Sequence, residues 1–581
     1  MLDAKKKVTS IFCIVMMLGA LFSQDCDCDI ILSGLSETNF NIISSTNFNN
    51  ELGKTICLPG GEYAGIEFRG FNGTIDEPLI IKNCDGQVII DEKNKSAITF
   101  RESSFIILSG KGDLTFNYGI KIESAAALGT AGVNITNYST DIEIEFLEIS
   151  NTGFAGILGK TDPNCNDIES WRKNGFVMRN IDIHDNYIHD TKGEAIYLGS
   201  TGGYLVSSNL VCNNQFVFAH WLENINVHDN IIENIGWDGI QLNLVRKYGR
   251  VYNNIISGYG TEDVTFQTFA MSLGGGEYEV YNNRMFNYSG GSGQGVQLIS
   301  AKSGTKFYNN VIINPQLHGI FIHNRHEFDS HSIGYYILNN TIVNPELSGV
   351  FYNTIITESE DESIISSSQE NVPTFFINNL IIDPGNRYEE SNTWKGEEEN
   401  YFDFNKLRTR NVLHDRIVNN WTTRNIDELC LASPDEYDFR LASDVSPLVD
   451  AGRDLRPLGL QLDLNENLRY VGNGMDIGAF EFQGAILNFK CYSLNADVFN
   501  LLPFDADVTV VFPNPASDSV QFFNTKHQET NLKLFTSHGA LLLESNYKFG
   551  DRLDISNLSK GLYYATFDIS NPQEVVKVLI E

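Results

Sequence analysis

Residues 250–257 read Arg-Val-Tyr-Asn-Asn-Ile-Ile-Ser, and the chain returns to this pattern along much of its length. A doublet, mostly Asn-Asn, recurs every 24 to 44 residues between an apolar, strand-like tripeptide and an apolar pair. The doublets are Asp185-Asn186, Asp229-Asn230, Asn253-Asn254, Asn282-Asn283, Asn309-Asn310, Asn339-Asn340 and Asn378-Asn379. Asn tolerates the left-handed backbone conformation and bonds its own backbone, so the pattern predicts a solenoid with polar corners. Stacked in register, the Asn side chains are expected to hydrogen-bond from coil to coil.

This repeat resembles that of the right-handed parallel β-helix proteins, of the pectate-lyase-like type, over about residues 60 to 400. The resemblance implies an all-β fold: a right-handed parallel β-helix solenoid followed by a small C-terminal β-sandwich. We expect residues 24–60 to form an N-terminal cap, 61–400 the β-helix and 401–490 the C-terminal coils and cap. Within the last region, residues 474–482 are similar to the closing coil of many extracellular β-helix domains, which implies a cap and not a site.

Residues 506–581 have a different character, with short apolar strands separated by turns. Three segments (511–516, 534–539 and 553–563) resemble, in order, the C-terminal sorting domain of type IX secretion substrates, a small β-sandwich of the Bacteroidetes phylum. The resemblance implies that the type IX secretion machinery is a partner. It also implies that the protein is secreted or attached to the outer-membrane surface.

The N-terminus is typical of a secretory signal peptide. Lys5, Lys6 and Lys7 precede an apolar stretch at 11–22 that is too short to cross a bilayer, so we assign residues 1–23 to the signal. We find no other segment with the length and apolarity of a membrane helix, so we expect no transmembrane anchor. A monomer is expected.

The cysteines fit an exported chain. Eight remain after removal of the signal, and an even number in an oxidising compartment permits disulfides. Cys165 and Cys212 lie in inserts of neighbouring coils, so we expect them to pair. The other N-terminal cysteines are expected to staple the cap, with a zinc site as the alternative; they are Cys26, Cys28, Cys57 and Cys84.

The net charge of the chain limits the classes of partner and substrate that the protein can bind. The 581 residues include 41 Lys and Arg against 74 acidic residues, a net charge of −33. No basic stripe is present, which excludes nucleic acid as a partner, because duplex DNA would be repelled. The same acidity weighs against a polyanionic substrate, unless cations or a local basic pocket intervene.

Aligning the coils on Gly-Ile or Gly-Val motifs predicts one stripe of polar side chains on an outward face. In a parallel stack, matching positions lie about 4.8 Å apart, so Glu194 and Asp238 are expected to be neighbours, beside Lys160. The catalytic candidates are Lys160, Glu194, Asp238, His318 and Arg325. The substrate-binding candidates are Tyr197, Gln241, Asn243, Arg246, Gln294, Gln297 and His323. The residue before each doublet, such as His184, His228 and Tyr252, defines a second stacked face.

Two chemistries fit the first stripe, which is similar to the groove of polysaccharide-active β-helix enzymes. A uronate lyase needs a group that neutralises the substrate carboxylate, commonly Ca²⁺, and a base. Here Glu194 and Asp238 would hold the calcium ion. The base would be Lys160, Arg246, Lys247 or His318. A glycoside hydrolase instead needs two carboxyl groups about 5 Å or 6.5–9.5 Å apart, a role that Glu194 and Asp238 could share.

The sequence therefore favours a secreted protein that degrades an extracellular polysaccharide, with lyase chemistry slightly ahead of hydrolysis. The alternative is a non-catalytic, glycan-binding or adhesin-like surface protein. Each polar candidate also has a simpler explanation: solvated acids, histidines that bond loop backbone, or an ordinary surface lysine at Lys160. Fold alone does not decide between these functions.

Overall fold

The computed structural model describes most of the chain between residues 26 and 580. The described ranges are 26–48, 54–201, 210–288, 291–301, 304–325, 335–355, 374–385, 402–404, 417–484, 509–512, 519–524, 529–536, 540–548, 551–567 and 574–580. The predicted signal peptide lies outside them. The described residues contain β-strands and short 3₁₀ turns but no α-helix, and in them no helix is long and apolar enough to cross a membrane.

The chain divides into two compact units, of which the first comprises residues 1–278, 290–301 and 325–329. Its coils contribute strands to two parallel sheets. Sheet one contains Ile30–Ile31, Thr55–Tyr63, Leu79–Glu92, Ser104–Ser109, Ile120–Ala125, Thr140–Glu145, Leu147–Ser150, Val177–His184, Tyr187–His189, Trp221–His228, Ile231–Glu233, Val245–Tyr252 and Ile255–Ser257. Sheet two contains Asn41–Ser44, Ile66–Arg69, Ile98–Arg101, Val133–Thr136, Ile157–Gly159, Ile196–Leu198, Ile240–Asn243, Phe269–Gly274 and Gln294–Ile299.

An aliphatic interior holds the coils of the first unit together. Ile157 pairs in register with Ile196, and Ile196 with Ile240, and all three side chains are fully buried. Side chains alternate across a strand, so one row of each sheet fills the core while the next row faces outward. Burying an isoleucine stabilises the fold by about 1.5–3 kcal/mol. The predicted right-handed parallel β-helix is confirmed.

The corners of the first unit carry an asparagine ladder, formed by Asn186, Asn230 and Asn254. Asn186 Nδ2 donates to Asn230 Oδ1 at 3.1 Å, and Asn230 Nδ2 donates to Asn254 Oδ1 at 3.0 Å. The residue before each rung has a φ of 53° to 57°, the left-handed conformation expected for the doublet. All three rungs are fully buried. The predicted coil-to-coil bonding is confirmed.

The second unit comprises residues 279–289, 302–324 and 330–581. Its coils repeat the same design with a ladder of its own, Asn283–Asn310–Asn340–Asn379–Asn420, whose amide bonds measure 2.8–3.1 Å. Asn420 extends this ladder beyond the last predicted doublet. The coils of this unit contribute the strands Tyr278–Tyr281, Arg284–Phe286, Lys306–Tyr308, Val311–Ile313, Gln316–Arg325, Tyr336–Leu338, Thr341–Val343, Ser348–Ile355, Phe375–Ile377, Leu380–Ile382, Phe402–Phe404, Ile417–Val418 and Trp421–Thr423.

Disulfides secure the N-terminal cap and one insert. Cys26 bonds Cys84, and Cys28 bonds Cys57, which confirms the stapled cap. The predicted Cys165–Cys212 bond is also present, with the two Cα atoms 5.4 Å apart. It joins the insert after Ile157–Gly159 to a hairpin, Leu210–Cys212 and Gln215–Val217. The insert contains two 3₁₀ turns, Ile168–Ser170 and Arg172–Asn174.

A buried ionic network closes the coils of the second unit. The fully buried Arg469 lies 3.6 Å from Glu481, and its Nη2 donates to Gly478 O. Burial, with Asp476 nearby, raises the pKa of Glu481 to about 7. The hairpin Leu431–Ser433 and Asp438–Leu441 packs an apolar cluster beside this network.

The C-terminal residues form two small antiparallel sheets. One contains Thr509–Phe512, Ser519–Asn524 and Arg552–Asp554; the other contains Glu529–Thr536, Leu541–Lys548, Gly561–Phe567 and Glu574–Ile580. Phe522, Leu532 and Phe567 lie fully buried in their shared core. This arrangement confirms the predicted C-terminal β-sandwich.

Candidate functional site

The outer row of sheet two holds most of the predicted site residues of the first unit. Strand register places Leu158 opposite Tyr197, and Tyr197 opposite Gln241. The same register puts Glu194 and Asp238 at matching positions, two residues before the buried Ile196 and Ile240.

The predicted site carboxyl groups are buried, whereas the sequence predicted that they line an open groove. Glu194 and Asp238 are each 1% exposed, so neither carboxyl faces solvent. Burial raises the pKa of Glu194 to about 7, and the charge of Lys160 offsets this only in part. Burial and the Glu194 carboxyl raise the pKa of Asp238 well above its ordinary range, although Phe269 N donates to its Oδ1 at 2.8 Å.

Three buried oxygens on this row have no hydrogen-bond partner among the described residues. They are Glu194 Oε2, Asp238 Oδ2 and Gln241 Oε1, and we refer to these residues as the unpaired cluster. Leaving a buried polar atom unpaired costs about 1–3 kcal/mol. The chain therefore retains three unfavourable groups side by side, in a unit whose asparagine ladder is fully bonded.

Side chains from neighbouring turns cover the row. Thr201 Oγ1 lies 2.7 Å from the Tyr197 hydroxyl and accepts from Gln241 Nε2 at 2.6 Å. The Phe154 ring packs edge-on against both Tyr197 and Trp237. Tyr197, Gln241 and Asn243 are thus buried and do not lie on an open face. That they bind substrate stays a prediction.

Lys160 reaches a surface, unlike the two predicted catalytic carboxyl groups. It ends the outward row one residue after the strand Ile157–Gly159, and its side chain keeps about a fifth of its surface exposed (21%). Its Nζ lies 3.0 Å from Asp162 and 5.0 Å from the centre of the Tyr197 ring. Burial opposes its charge, but Tyr197, Asp162 and Glu194 outweigh burial and raise the pKa of Lys160. Lys160 is therefore a firmly held cation.

A cleft of about 310 Å³ opens at Lys160. We call it the Lys160 cleft; its polar lining includes Asn134, Asn137, Tyr138, Asp162 and Asp167. The Tyr138 hydroxyl donates to Asp167 Oδ2, and burial together with this carboxylate raises the pKa of Tyr138. The cleft thus combines one ammonium group, two carboxylates and a phenol.

Sequence reasoning did not select Tyr138, Asp162 and Asp167, which line the Lys160 cleft. Asp162 and Asp167 belong to the insert, which interrupts the repeat and so escapes any alignment of coils. Its disulfide at Cys165 was a usable signal, because a braced insert next to a candidate lysine can hold groups in place. The fold of the insert is further fixed where Thr161 N donates to His220 Nε2 at 3.0 Å.

The unpaired cluster is an incomplete fit to the calcium ion considered from the sequence. Ca²⁺ takes six to eight oxygen ligands. Glu194, Asp238 and Gln241 supply three unpaired oxygens, and their burial leaves little access for the waters that would complete the shell.

The remaining predicted residues are not gathered at the Lys160 cleft. Gln294 donates to Thr268, and Gln297 accepts from Ser272. His318 belongs to the second unit, where its ring stacks 4.5 Å from Phe351. The side chains of His323 and Arg325 lie outside the described part of the structure.

Arg246 instead joins a cation group with Arg179 and Lys247 around one carboxylate, Glu223. Arg246 Nε donates to Glu223 at 2.8 Å, Arg179 Nε donates at 3.2 Å, and Lys247 lies 3.8 Å away. Burial opposes the charge of Glu223, but the two guanidinium groups outweigh it and lower the pKa of this carboxyl. Three half-exposed cations share one anion, which is a local basic surface on an acidic protein.

Comparison with known proteins assigns the C-terminal domain. Residues 510–581 match the family described as a secretion system C-terminal sorting domain. The chain therefore carries a signal for secretion and cell-surface attachment, as the sequence predicted. No curated protein matches the chain.

Several solved β-helix structures are similar to this chain at low identity. The pectate lyase Pel9A is 12% identical with a TM-score of 0.40, over 77% of this chain and 97% of that one. A GH136 lacto-N-biosidase from Eubacterium ramulus is 11% identical with a TM-score of 0.39, over 66% and 67%. A PL6 family polysaccharide lyase from Pseudopedobacter saltans is 13% identical with a TM-score of 0.27, over 59% and 84%.

Proposed function

We propose that this is a secreted enzyme that degrades an extracellular polysaccharide containing uronate residues, by β-elimination in the Lys160 cleft. The observation that carries the proposal is the cation at Lys160, held at a polar cleft and backed by the unpaired cluster. A fixed ammonium group can bind and neutralise a substrate carboxylate without a metal ion. That neutralisation acidifies the neighbouring C–H bond, which is the difficult step of elimination.

The cleft supplies a group for each remaining step. A base removes the proton from C5, the electron pair of that bond forms the C4–C5 double bond, and the C4–O4 bond breaks. The leaving oxygen then takes a proton. In the proposal the Asp167 carboxylate accepts the C5 proton, and the Tyr138 hydroxyl gives its proton to the leaving oxygen. The proton on Asp167 then passes to the Tyr138 oxygen through their hydrogen bond, which restores both groups.

Glu194 enters the proposal as a positioning residue, because at 1% exposure it does not reach the substrate. Its carboxyl lies close enough to Lys160 to influence the pKa of the ammonium group. Asp238 would act on Lys160 only through Glu194, since burial and the Glu194 carboxyl suppress the charged form of Asp238. The pair would set the charge and direction of the lysine and would make no bond to the sugar.

Hydrolysis is a second candidate, favoured by one observation. Asp162 and Asp167 both line the cleft, and two carboxyl groups are what a glycoside hydrolase needs. One would protonate the leaving oxygen and the other would activate water. The two reactions differ in product: elimination leaves an unsaturated uronate, whereas hydrolysis leaves a saturated sugar.

A panel of polysaccharides tests the proposal. The secreted protein is incubated with uronate-containing and neutral glycans while ultraviolet absorbance of unsaturated uronate and new reducing ends are recorded. We expect both signals to rise together on a uronate-containing glycan. Reducing ends without the absorbance would replace elimination with hydrolysis. Silence in both, with retained binding, would leave a glycan-binding or adhesin-like protein. A calcium chelator should leave the rate unchanged, because the proposed mechanism uses Lys160 and no metal ion.

A further inference from the structure

Two histidines and a tyrosine stack on the outer face of sheet one in the first unit. His184 and His228 occupy matching positions on neighbouring coils, and Tyr252 follows on the next. The ring centres of His184 and His228 are 4.8 Å apart and their planes differ by 5°. Tyr252 lies 4.5 Å from His228 with a similar tilt. The rings therefore cover one another's faces, which leaves little open ring face on which a sugar could stack.

Each imidazole is oriented by a carboxylate from its own corner. Asp185 Oδ2 lies 2.9 Å from His184 Nδ1, and Asp229 Oδ2 lies 2.7 Å from His228 Nδ1. An acid on Nδ1 fixes the ring and increases the basicity of Nε2, as is found for histidines that ligate metals through Nε2. Both rings thus present their Nε2 atoms in a set orientation.

Further carboxylates surround the two Nε2 atoms. Asp182 Oδ1 lies 3.1 Å from His228 Nε2, and Glu143 Oε1 lies 3.3 Å from His184 Nε2. Possible ligand atoms of Asp182, His184 and His228 all lie within 4.8 Å of one another, as do those of Glu143, Glu145 and His184. Two sets of possible ligands therefore share His184.

The charge balance of this face favours a cation. Five carboxylates adjoin the two imidazoles, so the face stays negative even if both rings are protonated; they are Glu143, Glu145, Asp182, Asp185 and Asp229. Arg250, on the same row as Asp182, offsets only one of these charges. A divalent ion that replaced the two Nε2 protons would keep the total charge and bring the ligands together.

We propose that His184, His228 and Asp182 bind a divalent transition-metal ion such as Zn²⁺ on the outer face of sheet one, with Glu143 as a further ligand. Imidazole with carboxylate is a donor set that suits Zn²⁺, Ni²⁺ and Cu²⁺, whereas Ca²⁺ prefers oxygen donors alone. Both rings must tilt out of their parallel stack to bind one ion, because an imidazole lone pair lies in the ring plane and ligand atoms around bound Zn²⁺ lie closer together than 4.8 Å. This site is separate from the Lys160 cleft and does not depend on the proposed function.

His189 provides a matched control within the same unit. Its Nδ1 lies 2.7 Å from Asp190, and its Nε2 lies 3.6 Å from Glu148. Its ring stacks on Tyr187, 4.3 Å away, rather than on a second histidine. His189 is therefore oriented by an aspartate at Nδ1, as His184 and His228 are, but no second imidazole stacks on it to complete a metal site.

Calorimetric titration of the chelator-treated secreted protein with Zn²⁺ tests the inference. We expect the wild type to bind an ion that His184→Gln and His228→Gln both weaken by more than about 100-fold, beyond the 10–100-fold typical of an orienting partner. His189→Gln should bind like the wild type. Asp182→Asn provides a further test if a histidine variant fails to fold. Absence of binding by the wild type, or equal binding by His228→Gln, would overturn the proposal, as would an equal loss in His189→Gln.

Discussion

The first unit buries two sets of polar side chains, and it treats them in opposite ways. In the asparagine ladder, Asn230 Nδ2 donates to two carbonyls and to Asn254, while its Oδ1 accepts from Asn186. In the unpaired cluster, each residue leaves one oxygen without a partner among the described residues. Complete bonding is what a structural role requires. Incomplete bonding reduces stability, and we propose that the chain retains it here because the cluster positions Lys160.

Removing the cation beside the unpaired cluster should have the largest effect. Lys160→Gln is expected to lower kcat/KM by about 10²–10³-fold, the usual loss when one fixed electrostatic stabiliser is removed. The measurement is the initial rate of cleavage on the glycan identified by the panel. Lys93→Gln is the control, because Lys93 is an exposed lysine paired with Asp91. Equal rates for the two variants would remove Lys160 from the mechanism.

Breaking the asparagine ladder should reduce the stability of the fold without a direct effect on catalysis. Asn230→Ala is expected to lower the free energy of unfolding by about 2 kcal/mol, because it removes bonds on both sides of the rung and leaves buried carbonyls unpaired. Denaturant unfolding measures the loss, with the exposed Asn94→Ala as control. If Asn230→Ala loses no more free energy of unfolding than Asn94→Ala, the ladder does not stabilise the fold.

The exposed cation group should show the smallest effect. Arg246→Gln is expected to weaken binding of an acidic polysaccharide by less than about tenfold, since exposed ion pairs contribute about 0–1 kcal/mol. Binding of a neutral glycan should not change, and the difference should shrink at high salt. Arg440→Gln, at another exposed pair, serves as control. A similar loss for the neutral glycan would show that charge is not what Arg246 contributes.

The sequence predicts the fold well because the doublets encode it directly. An Asn or Asp in the left-handed conformation, an Asn that bonds the next coil and a β-branched pair are local signals, and repetition amplifies them. The Cys165–Cys212 pairing was also accessible, because both cysteines lie in inserts of neighbouring coils. The sorting domain was predicted from three segments in order.

The site was less predictable because exposure depends on inserts. Register brought Glu194 and Asp238 to matching positions, but Thr201, which follows the repeat, covers the row, and the repeat does not encode that contact. Tyr138, Asp162 and Asp167 lie outside the aligned stripe, so the alignment could not select them. Coil repeats predict which residues lie on the same row, whereas the inserts determine which of them a substrate can reach.

Glu194→Gln tests most directly whether the unpaired cluster is kept for function. The pKa of Glu194 in the folded protein is about 7, above its ordinary value of 4.5. The protonated carboxyl is therefore favourable to folding at low pH, and this contribution to the free energy of unfolding falls as the pH rises from 4.5 to 7. The uncharged variant avoids this loss, which is up to about 3 kcal/mol. We predict that at pH 8 Glu194→Gln unfolds at higher denaturant than wild type and yet cleaves more slowly, while the exposed Glu77→Gln changes neither. A variant that is less stable at pH 8, or one with unchanged turnover, would contradict the account.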